Sequence, residues 1–202
     1  MPKKKNGRYR YTDDYRTVSY VDEKGRSRKR FVYTGKWFCM LNDADEYRRI
    51  VLTVRAASFI SLAAVLLAML ILPAPVNGKW YLVPVAVSLF PLSYQLMGAA
   101  ALPGKPKPME SAGYHRSVRR VAQSSGFCFA VLAASVAGLL LYWILTASGS
   151  LKNGAPYTFR DAVFAVCLVL AAGACRFNGK EMKKIRIEER ENNEDTPQDE
   201  TV

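Results

Sequence analysis

The chain has 202 residues, half of them hydrophobic, with 29 Lys and Arg against 17 Asp and Glu and a formal net charge of +12. Its mean hydropathy is near zero only because apolar and charged residues are segregated into blocks, a texture that excludes a water-soluble bundle with polar faces at helical period. One histidine, and four cysteines without a CxxC pair, exclude helix-borne zinc-protease chemistry and paired-thiol disulfide generation.

Residues 1–14 are a basic start, expected to be disordered. A polar segment with Tyr, Asp and Arg separates them from the first apolar run, so the pattern of a signal peptide is broken and the first span is expected to be retained. The texture then changes to strand. Thr17–Val21 alternates, Asp22-Glu23-Lys24-Gly25 is a turn, and Arg28–Tyr33 alternates again. Thr34-Gly35 forms a second tight turn into Lys36–Met40. The expectation over 15–41 is a cytosolic antiparallel β-meander, too small to stand alone in water. Its aromatic residues Phe31, Tyr33, Trp37 and Phe38 form a candidate docking hairpin. Alternation sets Phe31 and Tyr33 on one face and divides the other pair. A structural collar at the membrane surface and a docking site both remain open.

Asn42 or Asp43 is placed to cap a helix beginning near Ala44, and Asp43 with Glu46 has capping-box spacing. Arg48 and Arg49 follow at headgroup level. Arg55 lies one to two turns deeper, where its long stem can snorkel back to the interface.

Four apolar blocks, at about 50–72, 80–102, 121–147 and 158–177, are each long enough to cross a hydrocarbon core of about 30 Å. Trp80 and Tyr81 are placed as interface anchors before the second. That block contains Pro84, Pro91 and the polar trio Ser93, Tyr94 and Gln95. Proline removes a backbone donor and frees a carbonyl inside the bundle. The middle loop is Pro-rich and then basic, ending in His115, Arg116, Arg119 and Arg120, a set suited to anionic headgroups. The third block carries Gly126, Ala130, Ala134 and Gly138 at a spacing of four, a helix-packing stripe of the GxxxG type. Arg160 and Asp161 open the fourth block as an ion pair or a helix cap. Residues 178–202 read as a cytosolic acidic tail.

These elements predict an all-α membrane protein: a four-transmembrane-helix bundle over 44–177 behind a short cytosolic N-terminal antiparallel β-meander. Orientation follows from charge. Residues 1–49 hold 14 Lys and Arg, the middle loop five and the tail six, against Lys79, Lys152 and Arg160 on the other side. The positive-inside rule therefore places both termini and the middle loop in the cytoplasm. Topogenesis and the anionic inner leaflet account for the charge without a nucleic-acid partner.

No serine-hydrolase or phosphate-cradling glycine pattern is present, and no pair of intramembrane acids. The expectation is a non-enzymatic protein without cofactor or metal: an accessory, scaffold or regulatory subunit docking a partner membrane protein or itself. The alternative is a small oligomeric transporter or channel, its polar pathway drawn from Ser93, Gln95, Arg160 and Asp161. The stretch Phe31-Val32-Tyr33-Thr34-Gly35 ahead of four spans resembles small uncharacterised bacterial inner-membrane proteins. That resemblance implies a plan and a plasma (inner) membrane location, and no activity, cofactor or site residue.

Overall fold

The computed structural model describes residues 14–21, 25–71, 80–149 and 158–191. The expectations for the basic start, the turn at 22–24, the two outer connections and the acidic end at 192–202 lie outside the described residues.

Four helices dominate, all long and apolar enough to cross a membrane. Helix α1 (Ala44–Leu70) starts at Asp43, whose Oδ2 accepts the Asp45 amide at 3.3 Å. Glu46 does not close the expected capping box but accepts from Asn42 Nδ2 at 3.1 Å. Helix α2 (Leu82–Ala100) continues through Pro91. Helix α3 (Ser111–Ala147) is continuous over 37 residues, with its His115–Arg119 stretch wound as π-helix. Helix α4 (Phe159–Met182) opens with a capping box in which Thr158 and Asp161 each accept the other's backbone amide. Each helix packs on its sequence neighbours, and α4 closes back on α1.

The helices run past the apolar blocks because hydropathy marks where lipid-like residues stop, not where backbone bonding stops. Helix α3 begins ten residues before the block at 121, and α4 continues through Asn178 to Met182, into what reads as tail. Trp80 is half exposed, whereas Tyr81, expected as its fellow anchor, is fully buried against Tyr142 and Phe164.

The meander is corrected to a hairpin and a separate sheet. Strand β1 (Tyr15–Val21) pairs antiparallel with β2 (Ser27–Tyr33), in register from Tyr15↔Tyr33 to Val21↔Ser27. Strand β3 (Trp37–Met40) leaves β2 and lies between β4 (Met109–Glu110) and β5 (Ile187–Arg190), both antiparallel to it. Tyr33 makes the break. Its buried hydroxyl donates to the Lys36 carbonyl at 2.8 Å and accepts the Ser111 amide at 2.9 Å, satisfying one of the orphan donors at the start of α3. Gly35 is required there for space: a Cβ would stand 2.7 Å from both Asp14 Cγ and the Tyr33 hydroxyl. The N-terminal segment, the middle loop and the chain after α4 are thereby tied together at one end of the bundle.

Asn42 fastens this end. Its Nδ2 donates to the Lys184 carbonyl at 3.1 Å and its Oδ1 accepts the Arg186 amide at 2.7 Å, joining the start of α1 to the link between α4 and β5.

Candidate functional site

The bundle interior has two apolar clusters. One, nearer the sheet, gathers Tyr47, Val51, Val54, Ala99, Val121 and Met182; the other runs through Val65, Val85, Leu92, Leu132, Leu139 and Phe164. Between them lies a polar layer to which every helix contributes: Ser58 and Ser61 from α1, Gln95 from α2, Ser125 from α3 and Asn178 from α4, all buried. Asn178 Nδ2 donates to Ser58 Oγ at 2.9 Å, and Gln95 Nε2 reaches the same oxygen at 3.4 Å. The Cys175 thiol faces Gln95 Oε1 at 3.8 Å. Ser61 donates to the Ser58 carbonyl at 2.9 Å and Ser125 to the Val121 carbonyl at 2.7 Å. Asn178 Oδ1 is buried with no hydrogen-bond partner.

The bonded centre of this layer consists of amides, a hydroxyl and a thiol. It can donate and accept hydrogen bonds, but it holds no carboxylate or imidazole to move a proton. Interhelical hydrogen bonds of this kind contribute roughly 0.6 kcal/mol each in membranes, and their geometric demand fixes which helix faces meet. No cluster of three or more His, Cys, Asp or Glu suited to a metal occurs among the described residues.

The four residues of the expected polar pathway are not brought together. Only Gln95 belongs to the layer. Ser93 faces outward, its hydroxyl returned to the Leu89 carbonyl at 2.9 Å. Arg160 is exposed and Asp161 is buried, with its Oδ2 accepting from the Thr158 hydroxyl at 2.7 Å. About fourteen residues, roughly 21 Å of helix, separate Asp161 from Cys175, the neighbour of Gln95.

The small-residue stripe divides. Residues four apart on a helix drift by about 40° per step, so a stripe of four turns through roughly a third of the circumference. Gly138 is inside, where a Cβ would meet the Trp80 ring at 3.0 Å and Tyr81 Cβ at 3.2 Å. Gly126, Ala130 and Ala134 face outward, and nothing lies within 4 Å of a Cβ built on Gly126.

The arginines also divide. Arg48, Arg49, Arg116 and Arg119 are exposed. Arg55 does not extend away from the bundle. Its Nε donates to the Ala99 carbonyl at 3.2 Å, and its Nη2 donates to Ala100 at 3.4 Å and Leu102 at 2.6 Å. A cation thus closes the carbonyl end of α2, where the helix dipole is negative. The Arg120 guanidinium lies 4.1 Å from the Tyr94 ring centroid, and its stem passes Gly98, whose absent side chain leaves the room. Arg119 Nη1 stands 3.1 Å from His115 Nδ1; burial, then the Arg119 charge, pushes the His115 pKa down.

Of the candidate docking aromatics, three are structural. Tyr33 is the hinge just described, Trp37 meets its ring edge-on at 5.1 Å, and Phe38 stacks on Tyr114 at 4.2 Å. Phe31 alone points away, 73% exposed. Beyond Tyr33 the hairpin stands clear: every residue of β1 is exposed, and so is β2 up to Phe31.

Sequence reasoning reached Gln95 but missed Ser58 and Asn178. The inward series Leu168, Ala171, Cys175, Asn178, Met182 keeps a helical period through the end of the apolar block, and that signal would have found Asn178. No family model, curated protein or solved structure matches the chain.

Proposed function

We propose that the chain is a non-enzymatic multi-pass protein of a bacterial inner membrane, with both termini and the middle loop in the cytoplasm. Its role is that of an accessory or scaffold subunit docking a partner membrane protein or a second copy of itself. The observation carrying this reading is the β1–β2 hairpin, seven residue pairs long, whose residues 16–21 and 27–31 are all exposed where described. A two-stranded sheet of that kind is marginal in water without a covering surface. The outward face of Gly126, Ala130 and Ala134 adds a place for close helix approach, and the Lys/Arg asymmetry supports the orientation. The transport alternative has less support, since its four residues belong to separate places in the bundle.

The test is a photo-crosslinking residue at Phe31 in native membranes, with one at Leu70 as the lipid-facing control. A protein adduct specific to position 31, either a partner or a dimer, is the expected result. Monomer alone at position 31, or adducts identical to those from position 70, refutes the docking role.

A further inference from the structure

One face of the hairpin is made of Arg16, Val18, Tyr20, Arg28, Arg30 and Val32, because directly paired residues share a side and alternate residues repeat it. The three arginines are exposed. Residues 15–33 contain six Lys and Arg against two acids, whereas residues 191–202 contain five acids and no Lys or Arg.

The point where that acidic segment leaves the sheet is defined. Arg190, the last residue of β5, pairs with Trp37. The Trp37 ring meets Tyr33 at 5.1 Å, and Tyr33 meets Tyr15, the first residue of β1, at 5.3 Å. The acidic segment therefore departs at the root of the basic hairpin. Complementary pairing has already begun there: Glu189 is bonded to the Lys36 ammonium, and Glu191 adds to the field on the same group. Twelve extended residues reach roughly 40 Å, ample for a hairpin of about 24 Å.

We propose that the acidic segment 191–202 occupies the Arg16/Arg28/Arg30 face of the hairpin as an intramolecular contact, in preference to the anionic leaflet. Tethering favours this occupant. A short linker holds the acids at an effective concentration in the millimolar range, whereas the leaflet has to be approached by the whole hairpin. The contact is between exposed charges, so salt screens it: the Debye length falls from about 10 Å at 0.1 M to about 3 Å at 1 M. The proposal concerns the isolated chain and goes beyond the docking reading, which can fail without affecting it.

The experiment uses the full chain in nanodiscs with Cys39→Ser, and spin labels on Ser19→Cys and Thr196→Cys. Ser19 lies on the hairpin face opposite the arginines. In neutral discs at low salt, double electron–electron resonance is expected to show a short-distance population. That population is lost at about 1 M salt. It is also lost in the variant Arg16→Gln/Arg28→Gln/Arg30→Gln, and separately in Glu194→Gln/Asp195→Asn/Asp199→Asn/Glu200→Gln. The acid-side variant leaves the hairpin sequence intact, so misfolding of the arginine variant cannot imitate the result. One distance distribution across all samples overturns the proposal. In discs with anionic lipid, persistence of the short population supports it. Loss of that population together with shielding of the hairpin label from aqueous relaxation agents gives the face to the leaflet and overturns it.

Discussion

Asn178 on the last helix donates to Ser58 on the first at 2.9 Å, and Gln95 aims its amide at the same hydroxyl oxygen from the second. One small side chain thus accepts from two helices at the depth where the two apolar clusters meet. The consequences of substitution are unequal. Ser58→Ala leaves two buried amide donors without their acceptor, at about 1–3 kcal/mol for each unsatisfied group. Asn178→Leu removes a donor together with the unpartnered Oδ1, and is expected to cost under roughly 1 kcal/mol. Unfolding in mixed micelles should rank Ser58→Ala as the more damaging despite its smaller change in volume. The double variant should be less destabilised than the sum of the two. Equal costs, or simple additivity, would remove the layer's claim to hold the helices in register.

Arg55 makes a second interhelical tie by closing the carbonyl end of α2. Hydrogen bonds from a charged donor contribute about 1.5–3 kcal/mol, less where solvent shares the site, and Arg55 is part-exposed. Arg55→Met should therefore lower the thermal midpoint in detergent. Arg55→Lys should recover only part of the loss, because a point ammonium cannot serve three carbonyls as a guanidinium fork does. Full recovery by lysine would mean that charge at the headgroups, not the fork, is what the position supplies.

Much of this architecture was legible and some was not, for reasons visible in single residues. The four helices were legible because a stretch such as Ser61–Leu70 has no polar face for water. The regrouping of β3 was hidden because its partners, Met109 and Ile187, lie far along the chain, and strand texture carries no information about distant pairing. Two-residue β4 has no texture to read at all. Arg55 was legible as a cation inside the first apolar block with a stem free to snorkel, but its acceptors are backbone carbonyls, which look alike in any sequence. Gly35 was legible as a turn; that its role is space, with the Tyr33 hydroxyl where a Cβ would be, depends on a tertiary contact.

Alkaline pH should loosen the sheet end. Tyr15 donates to the Glu110 carboxylate, and that bond, then burial, raises its pKa from 10.0 to about 12. Burial raises Tyr33 in the same direction. For a group whose folded pKa is raised, the stabilisation is fully present below the unfolded value and is lost as pH rises through the folded one. The Tyr15 contribution therefore holds up to about pH 10 and disappears toward pH 12. Fluorescence of Trp37, whose ring packs on Tyr33, should report the change after subtraction of a Trp37→Phe control. Tyr15→Phe should abolish the part of the dependence in this window that belongs to Tyr15.

Orientation is open to a direct check. A reporter that matures only in the cytosol should stay dark when fused at Asn153 and light when fused after Val202. A bright signal at Asn153 would invert the assignment drawn from Lys and Arg placement.

The divided stripe on α3 separates stability from association. Adding a methyl at Gly138 puts it 3.0 Å from the Trp80 ring and 3.2 Å from Tyr81 Cβ, and overpacking of this kind costs about 1–3 kcal/mol. Gly138→Ala should therefore destabilise the single chain. Gly126→Ala meets open space and should leave it unchanged, or slightly more stable through helix propensity. A larger residue asks a different question. Gly126→Ile leaves the fold untouched but blocks close backbone approach by a second helix at the outward face. If that face carries association, Gly126→Ile should lower the dimer fraction measured by energy transfer in vesicles, while the unfolding midpoint stays at the wild-type value. If Gly126→Ile leaves the dimer fraction at the wild-type value, close helix approach at the outward glycine plays no part in association, and any partner must be held elsewhere, as through the hairpin.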